Sequence, residues 1–138
     1  MIIDWRCIIT RINVVPPQEL TRQHLLAEIR ELPRVFTMVK GYKSQGVNYY
    51  NFKRLKKQPQ EYTLGTGHMA FFSDKLGWLA DRYEALCDEW RSRGYKIQQV
   101  EQKDLIEGID TKFLGGYNVT HEALDINRQR IADRLKGE

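Results

Sequence analysis

Two carboxylates, one imidazole and two guanidinium groups share one side of the stretch from Thr21 to Phe36 if that stretch is helical. The spacing predicts a helix, in which about 100° separates successive side chains. On that helix one polar arc collects His24, Glu28, Arg30, Glu31 and Arg34, and the adjoining apolar stripe collects Leu25, Ile29, Leu32 and Phe36. His24 and Glu31 lie nearly in line, two turns and roughly 10 Å apart along the axis.

This polar arc allows two interpretations. Arginine side chains bind phosphate well, and a carboxylate held among them is kept ionised and can act as a base. A mixed-charge arc is also typical of an ordinary solvated helix face. The stretch alone leaves both interpretations open.

Three helices are predicted to position these side chains. The first runs from near Thr21, a plausible cap, to near Lys40, with a kink at Pro33 because proline has no backbone donor. The second opens at Thr66-Gly67-His68 and closes at Gly94. The third is capped near Thr120 and runs to Leu135. We therefore predict an all-α protein, a single compact domain of three main helices joined by long, turn-rich loops.

The second predicted helix has an apolar face that indicates a core, whereas the third has arginines on its outer face. Along the second, apolar residues recur at three- and four-residue steps, and they predict a core stripe of Met69, Phe72, Leu76, Leu79, Tyr83, Leu86 and Trp90. On the third, Leu124, Ile131 and Leu135 can face inward, which leaves Arg130 and Arg134 one turn apart on the outside. These two arginines can straddle a phosphate backbone, or pair with Asp133 and solvent.

Two other segments are harder to assign. The stretch from Ile8 to Val15 resembles a strand in composition. The connection from Gly41 to Gly67 interleaves lysines with aromatic residues, a pattern that suits a nucleic-acid backbone but is more common in a lysine-rich surface loop. Within it, Gly65-Thr66-Gly67 is a weak anion-binding motif, since it matches no established phosphate loop.

Composition restricts the class of protein. The chain has 138 residues and a net charge of +4, an excess that permits a polyanionic partner without requiring one. It has no apolar run near the roughly 20 residues of a membrane span and no signal peptide pattern, so we expect no membrane partner and a soluble, cytoplasmic protein. The histidines are scattered and the two cysteines, Cys7 and Cys87, form no CxxC, which indicates no metal site and a buried Cys87.

Four groups of residues, in a distinctive order, carry a resemblance to a known family. They are Thr10-Arg11-Ile12-Asn13, then Gln23 to Arg34, then Leu64-Gly65-Thr66-Gly67-His68 with Phe71-Phe72 and Asp74-Lys75-Leu76, then His121-Glu122-Ala123. Together they resemble the pyrimidine dimer DNA glycosylase family over Thr10 to about Leu135.

The resemblance implies a DNA repair enzyme with two activities. The family removes the 5′ base of an ultraviolet-induced cyclobutane pyrimidine dimer and nicks the resulting abasic site by β-elimination through an imine. Its nucleophile is the α-amino group of a threonine, which matches Thr10, and its essential glutamate matches Glu31. Its DNA-contacting positions match Arg11, Gln23, His24, Arg30, Arg34, Arg130 and Arg134. The implied partner is damaged double-stranded DNA, from which an adenine opposite the dimer is extruded, and no metal or organic cofactor is needed.

Elementary acid–base chemistry agrees with this assignment. An α-amine has a pKa of about 7.7 to 8.0, against about 10.4 for lysine, so roughly a tenth of it is neutral and nucleophilic near pH 7. Arg11, Arg30 and Arg34 would lower that pKa further, whereas Glu31 would oppose the shift. We expect a monomer that associates with the nucleoid through DNA.

Two departures from the family pattern leave other functions open. Thr10 follows nine residues, and while Ile9 is bonded to it its nitrogen is an amide, so we divide the chain into an extension, 1–9, and a domain, 10–138. Either the true start is nearer Thr10, or the extension is removed, or the amine of Met1 or a lysine substitutes, or the glycosylase activity is lost. The chain also ends at Leu135-Lys136-Gly137-Glu138 without the family's aromatic-rich tail, so its lesion preference can differ. The alternatives are a non-catalytic DNA-binding relative with a blocked amine and, last, a small basic RNA-binding protein.

Overall fold

The computed structural model describes residues 11–136, and this part of the chain is all-α, as predicted. Seven helices follow one another: α1 (Arg22–Glu31), α2 (Pro33–Lys40), α3 (Phe52–Leu55), α4 (His68–Phe71), α5 (Leu76–Ser92), α6 (Gln102–Ile106) and α7 (His121–Lys136). Three short 3-10 turns lie at Pro17–Glu19, Lys43–Gln45 and Thr111–Phe113. None of these helices is long and apolar enough to cross a membrane.

The first predicted helix is divided into α1 and α2 at Pro33. Thr21 caps α1, because its Oγ1 accepts a hydrogen bond from the backbone N–H of His24 at 3.3 Å. Pro33 opens α2, where a missing N–H costs least. The predicted apolar stripe of Leu25, Ile29, Leu32 and Phe36 is buried.

The second predicted helix is also divided, which the apolar periodicity did not indicate. It consists of α4 and α5, and an antiparallel bridge joins Lys75 in the connection to Leu114. The chain packs closely here: a Cβ on Gly115 would lie 2.4 Å from the carbonyl oxygen of Asp74. Gly94, with a φ of +94°, ends the helix region at the predicted place.

The third predicted helix corresponds to α7. Thr120 precedes it, and its Oγ1 accepts a hydrogen bond from the N–H of Ala123 at 3.0 Å. Leu124 and Ile131 pack against the core as predicted, whereas Leu135 is 44% exposed, so its predicted inward position is wrong. It lies in the last turn, beyond the residues that α7 packs against the core.

The core lies where α1 packs against α5, and it includes the fully buried Cys87. Residues 11–15 form neither helix nor strand, so the strand-like composition of this segment was misleading for its described part. Ile12, Val14 and Val15 are nevertheless buried against the helices. Residues 11–15, which we call the extended segment, therefore run through the core, and no neighbouring strand in the described part of the chain satisfies their backbone hydrogen-bonding groups.

Candidate active site

Glu31 is the last residue of α1, and the junction between α1 and α2 sets its position. The backbone N–H of Leu32 still bonds to the carbonyl oxygen of Glu28 at 2.8 Å, but Pro33 has no N–H with which to continue the ladder. The first turn of α2 then brings Arg34 next to Glu31, with 4.0 Å between Nη1 and Oε1. The Glu31 side chain is 17% exposed, and that of Arg34 is 47% exposed.

A small cavity of about 80 Å³ opens beside Glu31. Three parts of the chain line it: the extended segment, α1 and α7. The lining residues are Arg11, Asn13, His24, Ala27, Glu28, Glu31, Arg130, Ile131 and Arg134. The cavity therefore joins the first and last parts of the described chain around a single accessible carboxylate, since Glu28 is buried.

Two opposing influences act on the Glu31 carboxyl. Burial raises its pKa, while the guanidinium groups of Arg34, Arg11, Arg130 and Arg134 lower it, and burial is the larger influence. The sequence predicted that the arginines would keep this carboxylate ionised. The arginines do favour the ionised form, but burial outweighs them and raises the pKa above the ordinary value, which makes the carboxylate a better proton acceptor than an exposed glutamate.

Arg130 places a positive charge in the cavity wall, and the burial of that charge costs free energy. Burial lowers its pKa, and the neighbouring charges of Arg11 and Arg134 lower it further, although the guanidinium remains charged at neutral pH. Its Nε is buried and has no hydrogen-bond partner among the described residues. A buried donor of this kind costs free energy unless it is satisfied, and an anion entering the cavity would satisfy it.

The floor of the cavity is a buried hydrogen-bonded network centred on Glu28, which is 1% exposed. The sequence placed Glu28 in the polar arc with Glu31, and both line the cavity, but Glu28 is buried. Arg82 of α5 donates to both of its carboxylate oxygens, from Nε at 2.5 Å and from Nη2 at 3.1 Å. Asn13 also donates to Glu28 Oε1 at 2.7 Å. Glu28 is thus neutralised within the protein, and Glu31 remains the carboxylate that faces the cavity.

Side chains, rather than a neighbouring strand, satisfy the backbone of the extended segment. His68 Nε2 accepts from the N–H of Ile12 at 2.7 Å, and the hydroxyl of Tyr62 donates to the Ile12 carbonyl oxygen at 3.0 Å. Asn127 Oδ1 accepts from the N–H groups of Val14 and Val15, at 2.7 and 3.1 Å. We call these three side chains, together with Arg82, the backbone clamp; Arg82 Nη1 donates to the Val15 carbonyl oxygen at 2.8 Å.

A sequence model of the pyrimidine dimer DNA glycosylase family matches residues 9–102, which is more than half of the chain. The match includes the extended segment and all of α1, and therefore Glu31 and the cavity residues that these two elements supply, whereas the cavity residues of α7 lie outside it. The chain belongs to this family. As a pyrimidine dimer DNA glycosylase it is a DNA repair protein whose substrate is damaged DNA.

The glycosylase structure brings together some of the residues predicted from sequence and separates others. Arg11, His24, Glu31, Arg130 and Arg134 line one cavity. Arg34 lies beside Glu31 without lining the cavity. Gln23 and Arg30 are exposed on α1 and do not line it. Thr10 lies outside the described residues, so the structure does not test its predicted role.

Sequence reasoning missed the residues that organise the glycosylase cavity from below. These residues are Asn13, Arg82 and Asn127. The two asparagines are neutral, Arg82 lies far from Glu31 in the chain, and no periodicity in the sequence distinguishes any of the three. His68 was noted only as a scattered histidine at a helix start. Its one available signal was its place in the Leu64-Gly65-Thr66-Gly67-His68 motif, which the resemblance included without a role for it.

Proposed function

We propose that this protein excises the 5′ base of a cyclobutane pyrimidine dimer through the α-amine of Thr10 and then nicks the abasic site as a lyase. The observation that carries the proposal is the partly buried Glu31, which lines one cavity with Arg11, Arg130 and Arg134. Glycosylase function follows from the family, whereas the nucleophile, the roles of single residues and the lyase step are our assignment.

The proposed chemistry begins with the neutral amine. It attacks the sugar C1′, the bond from C1′ to the base nitrogen breaks, and the base leaves with a proton. The bond from C1′ to the ring oxygen O4′ then breaks and O4′ takes the proton from the amine, which opens the sugar ring and leaves C1′ and the nitrogen joined as a protonated imine. The positively charged imine acidifies C2′, a proton leaves C2′, and the bond from C3′ to the phosphate oxygen breaks. Hydrolysis of the imine then frees the enzyme.

Glu31 has two roles in this scheme. Its negative charge stabilises the cationic intermediate, and its raised pKa suits it to accept the proton from C2′. Arg11, Arg130 and Arg134 bind the phosphates on either side of the sugar, for which guanidinium groups have the right donor geometry. Extrusion of the adenine opposite the dimer makes C1′ accessible to the amine, and a damaged, poorly stacked step costs less to open.

The amine must be free for this reaction, and in the printed sequence Thr10 follows nine residues. We propose that residues 10–138 form the active domain and that the active form begins at Thr10. The same observation favours the second candidate, a DNA-binding relative that keeps the arginines but has a blocked amine. The two candidates differ in whether an imine forms.

Intact-mass measurement and borohydride trapping test the proposal. Protein purified from its native host is sequenced from its N-terminus and then incubated with borohydride and duplexes that contain either a dimer or an abasic site. We expect a terminus at Thr10 and a covalent complex whose cross-linked residue, identified by peptide mapping, is Thr10. A terminus at Met1 with no trapped complex would instead indicate the non-catalytic relative.

A matched pair of proteins separates removal of residues 1–9 from imine formation. One is the full chain of 138 residues, and the other is expressed with the Thr10 codon directly after the initiator methionine codon. We expect trapping by the second chain at a rate well above that of the first. Equal trapping by both chains would identify another amine, such as a lysine, as the nucleophile.

A further inference from the structure

The extended segment is held more firmly than its lack of secondary structure suggests. Ile12 and Val15 are fully buried, and a buried backbone group without a partner costs free energy comparable to a lost hydrogen bond. The backbone clamp meets that requirement at Ile12, Val14 and Val15 with five hydrogen bonds from four side chains. The position of the segment therefore depends on those side chains.

His68 occupies the end of the clamp nearest to the N-terminus. Its Nδ1 lies 2.7 Å from the carbonyl oxygen of Thr63, so Nδ1 carries the hydrogen and Nε2 is left as an acceptor for the Ile12 N–H. The ring is 2% exposed and packs edge-on against Tyr62 and Phe72. Hydrogen bonds at both ring nitrogens and packing against two aromatic rings thus hold the imidazole in one orientation.

The clamped segment alternates between the core and the cavity. Ile12 and Val14 are buried, while Arg11 and Asn13 line the cavity beside Glu31, as expected when successive side chains of an extended chain point in opposite directions. The hydrogen bonds at the Ile12 N–H and carbonyl oxygen therefore fix the backbone between the two residues that line the cavity, Arg11 and Asn13.

We propose that His68, with Tyr62, is a positioning residue for imine formation: it holds the backbone of Ile12 and so keeps the chain neighbours Arg11 and Asn13 in the cavity wall beside Glu31. This inference rests on the proposed function, because it presumes that the amine of Thr10 is the nucleophile. His68 and Tyr62 do not line the cavity and touch no reacting atom. They act through Ile12.

Two substitutions at His68 separate positioning from packing. His68→Phe keeps a planar ring and removes the acceptor, whereas His68→Gln places an amide oxygen within reach of the Ile12 N–H. The readouts are the single-turnover rate of borohydride trapping on a preformed abasic duplex and the Kd for a duplex with an uncleavable tetrahydrofuran site. Since a displacement of about 1 Å can cost about 100-fold in rate, we expect His68→Phe to lower the trapping rate by about tenfold or more while changing the Kd less than about threefold. His68→Gln should recover most of the rate.

Tyr62→Phe provides a second measurement with little risk to folding, because it removes only the hydroxyl that donates to Ile12. We expect a smaller loss of trapping rate in the same direction, again without an equal loss of affinity. Phe113→Leu is the matched control for destabilisation. Phe113 is buried in a separate aromatic cluster with Tyr42, Tyr49 and Phe52, so this variant should trap at the wild-type rate.

The possible results distinguish this inference from the function on which it rests. If the unsubstituted protein in its Thr10-initiated form does not trap, the proposed function fails before any variant is compared. If it traps and both His68→Phe and Tyr62→Phe trap at the same rate as it does, the function stands and the positioning role is overturned. Should His68→Phe fail to fold, the rate of Tyr62→Phe decides the question.

Discussion

At the scale of single residues, two glutamates one turn apart on the same helix have opposite surroundings. Glu28 receives hydrogen bonds from Arg82 and Asn13 and is buried, so its charge is satisfied within the protein. Glu31 faces the cavity, where burial raises its pKa against the influence of four arginines. Their spacing alone would make the two interchangeable, and only their partners assign one to structure and the other to chemistry.

Glu31→Gln should separate chemistry from binding. The substitution preserves shape but removes both the negative charge and the proton acceptor, so we expect single-turnover base excision to fall by about 100-fold or more. Affinity for an uncleavable abasic duplex should change little, because the arginines remain. Glu61→Gln, at an exposed carboxylate, is the control and should leave both quantities unchanged. Equal losses of affinity and excision would contradict this prediction.

Arg130→Ala should weaken DNA binding through the loss of a phosphate contact. We expect the salt dependence of log Kd to decrease by about one unit of slope, with similar effects on damaged and undamaged duplexes. Arg128→Ala on the same helix is the matched control, since Arg128 pairs with Glu19 at 3.0 Å and lies away from the cavity. An unchanged slope for Arg130→Ala, or an equal change for the control, would count against the phosphate contact.

At the scale of elements, the buried ion pair between Glu28 and Arg82 joins α1 to α5 beneath the cavity. The two helices pack through apolar side chains, but a guanidinium that bonds to both carboxylate oxygens also fixes their register. Asn127 extends the same network to α7, because its amide donates to Asn13 Oδ1 at 2.8 Å. Three helices and the extended segment therefore share one set of polar contacts.

Glu28→Gln should destabilise the protein more than its small change in shape suggests. It leaves the buried Arg82 charge without a counterion, for which we expect a loss of about 3–5 kcal/mol in the free energy of unfolding, measured by urea denaturation. Glu19→Gln disrupts an exposed pair with Arg128 and should change that free energy very little. Similar results for the two variants would show that the buried pair contributes no more than a surface one.

At the scale of the whole molecule, His68 makes stability depend on pH. Burial is the main influence on its pKa, and together with the charges of Arg130 and Arg11, and opposed in part by the Thr63 carbonyl oxygen, it lowers that pKa to about 4. The unfolded chain, with an ordinary histidine pKa, therefore binds the proton more tightly than the folded protein. The contribution of His68 to stability is therefore fully present above the ordinary pKa of histidine, and it is lost as the pH falls toward 4.

We expect the contribution of His68 to the free energy of unfolding to fall by roughly 3 kcal/mol between about pH 7 and pH 4. The measurement is urea denaturation across this range for the wild type and His68→Gln, because the difference between the two curves isolates one group. The curves should converge as the pH falls. Parallel curves would show that the buried ring does not resist protonation.

The sequence predicted those features that depend on neighbouring residues. Thr21, Pro33, Gly94 and Thr120 mark element ends through their own backbone chemistry, and their predicted positions were confirmed. The break between α4 and α5 was not predictable from periodicity, because it depends on the close approach of Gly115, some 40 residues later in the chain.

In the candidate site, too, the sequence predicted what depends on nearby residues and missed what depends on residues far away in the chain. Helical spacing placed His24, Glu31 and Arg34 together and marked Arg130 as able to contact phosphate, whereas Arg11 was assigned a contact with DNA only through the family resemblance. The burial of Glu28 was not predicted, because the Arg82 that neutralises it lies 54 residues away. Asn13 and Asn127 have neutral side chains and are 114 residues apart, so nothing local distinguishes them from surface residues.

The backbone clamp also determines when the site can form. Ile12 and Val14 are held by residues 56 and 113 positions later in the chain. Forming these contacts costs loop-closure entropy, and that cost comes before the contacts stabilise the fold. During synthesis the extended segment leaves the ribosome first, and Asn127 is made near the end. The segment beside Glu31 is therefore completed only when the rest of the domain exists. A nascent or truncated chain that ends before α7 would keep Glu31 but lack Asn127 and the cavity arginines of α7, so we expect it not to cleave DNA.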